Sequence, residues 1–123
     1  MTEFAEKRDE LIIPTLGQGT IDITRAVEAW LETMRVVEGL LTLFVRQKTI
    51  SLGLGDRPRA KAAKVSTHAK APAKATPRGS IRLAVPVTQG RTVLGAWQSI
   101  FLFEQDFEPS DRAVALHFVG TLG

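Results

Sequence analysis

Few side chains in this 123-residue chain have types and spacing suited to chemistry, and the most suggestive are Gln98 and Glu104. On an extended strand, Gln98, Ile100, Leu102 and Glu104 share one face, while Trp97, Ser99, Phe101 and Phe103 share the other. An amide and a carboxylate on an otherwise apolar face are costly to bury unless they are paired or line a cavity. The pattern therefore fits an ordinary buried hydrogen-bonded pair or the wall of a site, the pair being the commoner outcome. The two histidines are dispersed: His68 lies in a basic stretch where solvation is the ordinary state, and His117 falls in an alternating run that places its ring at the surface. With no cysteine, a disulfide, a thiolate zinc site and a cysteine nucleophile are all excluded. No phosphate-cradling glycine loop, paired-histidine spacing or nucleophile elbow occurs, and no metal site is expected.

The elements that must position these residues are legible from periodicity. Thr24 suits a helix N-cap, and Val27, Trp30, Leu31 and Met34 follow at i, i+3, i+4 and i+7, predicting an amphipathic helix of about ten residues ended by Gly39. Leu40 to Arg46 reads as a buried strand, with Thr49 to Leu54 as its partner. Leu11 to Pro14 and Thr20 to Ile23 are expected to form an opening hairpin across Leu16-Gly17-Gln18-Gly19. Ile81, Leu83, Val85 and Val87 alternate as a half-buried strand in which Pro86, lacking an N–H, argues for an edge or a bulge. Thr88-Gln89-Gly90-Arg91 is a turn with glycine where positive φ is wanted. Gly95 bends the apolar stretch Thr92 to Asp106, Glu108 to Asp111 forms a turn, and Val114, Leu116 and Phe118 alternate along a last strand. The sum is α+β, one main helix with about six or seven mostly antiparallel strands, in a single domain spanning residues 1–123.

Charge is distributed unevenly. Residues 57–103 carry nine bases and no acid, and seven of those bases fall within 57–79, a stretch rich in Ala and Pro whose only larger apolar residue is Val65. Such a composition cannot bury enough apolar area to offset the entropy of ordering, so 57–79 is expected to be an exposed, disordered loop. The formal net charge of +3 belongs to that segment, and without its seven cations the rest of the chain stands at −4. The longest apolar run, Leu40 to Val45, is far short of the ~20 residues of a membrane helix, and the N-terminus lacks the pattern of a signal peptide. A cytoplasmic protein without a membrane partner is the expectation.

From Gly79 to Gly120 the chain resembles the YjbQ family, named for secondary thiamine-phosphate synthase activity. The residues that carry the resemblance are Gly79, Val85-Pro86-Val87, Gly90-Arg91, Leu94-Gly95, Trp97-Gln98, Ile100, Glu104, Arg112 and Gly120. The N-terminal half agrees through Asp22-Ile23-Thr24 and Gly39-Leu40-Leu41-Thr42-Leu43-Phe44-Val45. The departures fall where the family keeps its chemistry. The family's His-Thr-Ser/Thr motif falls on Gln47-Lys48-Thr49, its Asn-Glu on Gly55-Asp56, and its acidic, His-bearing stretch on the basic segment, where His68-Ala69-Lys70 reads either as a remnant of a His-x-Lys element or as the chance product of a Lys/Ala-rich stretch. Glutamine cannot shuttle a proton as histidine does.

The resemblance implies a weak or lost joining of a thiazole phosphate to a pyrimidine diphosphate. His68 would be the acid/base, Gln98 and Glu104 would orient, and Trp97, Arg91, Lys48 and Gln47 would contact a phosphorylated small molecule. It further implies a homotrimer and names no cofactor. The other reading is a non-catalytic module that lays 57–79 on nucleic acid or another polyanion. That arm has no aromatic residue to stack on bases, and nucleic acid is not the expected partner.

Overall fold

The computed structural model describes residues 3–56 and 79–123. The chain forms β1 (Glu3–Thr15), β2 (Gly19–Asp22), α1 (Thr24–Met34), β3 (Val36–Phe44), β4 (Ile50–Asp56), β5 (Arg82–Thr88), β6 (Arg91–Thr92), β7 (Gln98–Glu104) and β8 (Ser110–Leu122). Five strands make one sheet in the order β1-β8-β3-β5-β6, and three make a second in the order β2-β7-β4, with every named pairing antiparallel. This is the α+β architecture expected, with eight strands among the described residues where six or seven were expected.

Alternation decides which face each strand buries. Leu41, Leu43 and Val45, Val85 and Val87, and Val114, Leu116 and Phe118 point inward from the large sheet. Ile50 and Leu52 with Ile100 and Leu102 meet them from the small one, and Val27, Trp30 and Leu31 from the helix complete a single core. Among the described residues no helix is long and apolar enough to cross a membrane.

The turn expected over Thr88 to Arg91 is present. At the β5–β6 turn, Gln89 (φ 54°) and Gly90 (φ 76°) are both left-handed, the geometry that matches strand twist in a two-residue hairpin. The Pro86 carbonyl accepts the Val93 N–H at 2.9 Å. The edge or bulge expected at Pro86 does not occur, since β5 lies between β3 and β6 in regular register; a strand residue's N–H and C=O face the same side, so the donor that proline lacks would have pointed toward the short outer strand, where its loss is tolerated.

Three expectations are corrected. The helix stops at Met34, and Arg35, not Gly39, takes the left-handed cap (φ 59°) with its N–H on Glu32 O. Gly39 instead lies within β3, opposite Gly120. Thr24 is the first helical residue rather than the cap; Ile23 holds that position, and the Thr24 hydroxyl accepts the Ile100 N–H at 2.7 Å. Neither expected hairpin forms: β1 pairs with β8 and β2 with β7, in different sheets, while β4 pairs with β7 instead of β3. Alternation marks a strand without naming its neighbour, and here short loops carry the chain from one sheet to the other.

Candidate functional site

The residues expected to do chemistry divide between the two ends of β7. Glu104 opposes Ile50 at one end, and Gln98 opposes Asp56 at the other. Six residue steps along the strand separate them by about 20 Å, so they do not share a cleft.

At the Glu104 end, the carboxylate is fully covered. Arg112 donates from Nε to Glu104 Oε1 at 2.6 Å and from Nη2 to Oε2 at 3.4 Å. The Thr15 hydroxyl donates to Oε1 at 3.0 Å, and the Asp106 N–H donates to Oε2 at 3.1 Å. Arg112 Nη2 also reaches Asp106 Oδ2 at 3.3 Å. Burial pushes the Glu104 carboxyl up, but Arg112 and the Asp106 N–H outweigh it and hold the group below the ordinary glutamate range. Glu104 comes from the small sheet, whereas Arg112 and Thr15 come from the large one, so the cluster ties the two sheets together. Gln47 stands beside it, its Oε1 accepting the Ala113 N–H at 3.4 Å, and Lys48 is on the same β3–β4 connection.

The Gln98 end opens on a groove of about 1140 Å³ between α1 and the β5–β6 hairpin. The helix contributes Arg25, Glu28 and Glu32, and its C-cap contributes Arg35, the spacing placing them along one side. The hairpin contributes Arg91 and Thr92, and the strand that follows contributes Gln98. Gln98 Oε1 accepts the Gly95 N–H at 2.8 Å, which fixes the turn before β7. Glu28 accepts from both the N–H and the hydroxyl of Thr92. Among the described residues no ion pair engages Arg25, Arg35 or Arg91. Three guanidiniums that form no ion pair among the described residues therefore border one open groove, alongside the carboxylates of Asp22, Glu28 and Glu32. Arg25 sits in the first helical turn and Arg35 at the C-cap. Since a cation at the N-terminal end opposes the helix dipole, Arg25 does not serve helix stability.

The structure thus brings Arg91 and Gln98 to the groove, and Glu104, Gln47 and Lys48 to the opposite end. Trp97, 48% exposed, precedes Gln98 in the chain and is not part of the groove wall. His68, with residues 57–78, lies outside the described residues. His117 is the surface residue its alternation suggested, with Nε2 at 2.7 Å from Glu6 Oε2. Among the described residues no three His, Cys, Asp or Glu side chains gather to hold a metal ion. Sequence reasoning did not single out the groove arginines 25 and 35, although the Arg25-Glu28-Glu32-Arg35 stripe was visible at helical spacing. It also left Arg112 unassigned, because nothing local says that two sheets meet between Glu104 and Arg112.

A model of the YjbQ family, described as UPF0047 protein YjbQ-like, matches residues 56–121. A UPF0047 protein of Synechocystis sp. is 25% identical, in a match covering 95% of this chain and 94% of that protein. The fold is similar to that of a YbjQ-like protein of unknown function from Sulfolobus solfataricus, with TM-score 0.76 and 23% identity over 96% of this chain and 99% of that one. It is also similar to a conserved hypothetical protein from Thermus thermophilus, with TM-score 0.70 and 27% identity over 88% and 97% of the two chains.

Proposed function

The chain belongs to the YjbQ-like UPF0047 family, and from that premise we propose that it binds a phosphorylated small molecule in the α1–hairpin groove while its thiamine-phosphate synthase activity is weak or lost. The observation that carries the binding is the trio Arg25, Arg35 and Arg91, without ion-pair partners among the described residues and bordering one groove. Guanidinium is the side chain best matched to phosphate oxygens, because its fixed fork donates two parallel hydrogen bonds. Gln98, in the groove wall, orients the remainder of the ligand.

The loss of chemistry is supported at the other end of β7. Gln47 stands where the family resemblance places histidine, and its side-chain oxygen is already engaged by Ala113 N–H. Glu104 is tied to Arg112 and held below the usual carboxylate range, so it is a poor proton donor or acceptor at neutral pH. Lys48 adds a cation without adding a general base.

The test has two arms. In a thiamine-phosphate synthesis assay, run beside a family member that keeps the full His-Thr-Ser/Thr motif, this chain is expected to turn over far more slowly. Robust turnover would reject the loss. Residual turnover is expected to disappear in His68→Ala. Titration with inorganic pyrophosphate is expected to show binding that Arg91→Ala weakens about tenfold, the worth of one charge-assisted hydrogen bond. Unchanged affinity in that variant would reject the groove. The family resemblance also implies a homotrimer, which sedimentation velocity distinguishes from a monomer.

A further inference from the structure

Inside a groove that binds an anion, Glu28 is misplaced on charge alone. It faces Glu32 one turn along the helix, a like-charge pair at i and i+4 that weakens a helix. Among the described residues no ion pair joins it to Arg25 or Arg91. It is bonded instead to Thr92: Oε2 accepts the backbone N–H at 3.1 Å and also the hydroxyl. Thr92 is the second of the two residues of β6, and Arg91 is the first.

That strand is the weakest part of the large sheet. It lies at the edge, its ladder with β5 is the two pairs Val87↔Thr92 and Thr88↔Arg91, and beyond these the Val93 N–H on the Pro86 carbonyl and the Gly90 N–H on the Val37 carbonyl, each at 2.9 Å, are its backbone ties among the described residues. An edge of two residues opens easily unless something outside the ladder holds it. We propose that Glu28 is a positioning residue for Arg91: through Thr92 it fastens the β5–β6 hairpin to α1 and so sets where the Arg91 guanidinium stands in the groove. This inference rests on the groove reading above and adds to it a reason for an acid in an anion site. Glu28 then has two effects of opposite sign. Its charge lowers anion affinity, and its hold on Thr92 raises it.

Two substitutions separate those effects. Glu28→Gln removes the charge and keeps a side-chain oxygen able to accept both Thr92 bonds, whereas Glu28→Ala removes both. The experiment is a ¹H–¹⁵N chemical-shift titration with inorganic pyrophosphate on the full chain, together with Thr92 amide exchange. Each Glu28 variant is also made with Arg91→Ala. The expected result is that Glu28→Gln binds at least as tightly as the unaltered chain, while Glu28→Ala binds about threefold or more weakly than Glu28→Gln. That gap closes when Arg91 is alanine, and the Thr92 amide exchanges faster in Glu28→Ala alone. Should Glu28→Ala fail to give a dispersed spectrum, Thr92→Val keeps the N–H bond, removes the hydroxyl bond and is expected to shift affinity in the same direction. Equal affinities for the two Glu28 variants, with Arg91→Ala still weakening binding, would overturn the positioning role and leave the groove reading intact. Pyrophosphate binding that is absent, or indifferent to Arg91→Ala, overturns both.

Discussion

At Glu104 the cost of burying a carboxylate is offset by donors from three separate parts of the chain: Arg112, Thr15 and the Asp106 backbone. Removing one partner of such a pair leaves the other charge buried, so Glu104→Ala is expected to lower unfolding free energy by about 3 kcal/mol in urea titration at neutral pH. The pair also has a pH signature. Because the folded-state pKa lies below the unfolded value of about 4.3, its stabilisation is fully present above that pH and is lost as pH falls through the folded pKa. The stability gap between the unaltered chain and Glu104→Gln should therefore stay constant from about pH 7 to about pH 5 and narrow only as pH falls below about 4. A second residue-scale tie is Trp30, whose indole N–H donates to Asp9 Oδ2 at 2.8 Å. Trp30→Phe should cost about 1 kcal/mol in the same measurement. Glu104 was legible in the sequence as a carboxylate on an apolar strand face. Its partner was not, since only the meeting of two sheets brings Arg112 to it.

Strands and the helix were legible wherever burial imposes a period. The 27-30-31-34 spacing marks α1, and the alternation along 83–87 and 114–118 marks β5 and β8. What escaped was pairing. β1 and β2 read as a hairpin because a glycine-rich loop joins them, yet each strand completes a different sheet. Gly39 shows the same limit from another side. It looked like a helix stop, but it faces Gly120 across the β3–β8 ladder, and the Phe118 ring fills the space beside both. A Cβ at Gly120 would meet the Glu38 carbonyl, and it would lie 2.6 Å from Gly39 Cα and 2.7 Å from the ring. Gly120→Ala is thus expected to destabilise by about 3 kcal/mol, through overpacking that backbone cannot relieve, and thermal unfolding would show it as a lowered Tm. A variant with unchanged Tm would mean that the two strands separate more readily than their register suggests.

On the scale of the whole molecule, the long ladder between β1 and β8 dominates, running from Glu3↔Leu122 to Thr15↔Ser110. Contacts between residues so distant in the chain make folding slow, because loop closure must precede the pairing that rewards it. Stopped-flow refolding should fall in the milliseconds-to-seconds range of non-local β proteins, and a microsecond phase carrying the full amplitude would contradict the ladder as the organising contact. The position of β8 has a further consequence during synthesis. It lies between β1 and β3, so on a ribosome that has not yet released Ser110–Leu122 both neighbours have been made but lack the strand that joins them. Their open edges are what holdase chaperones capture and what neighbouring nascent chains can add to. The emergence of β8 therefore sets how long the edges of β1 and β3 depend on cellular protection.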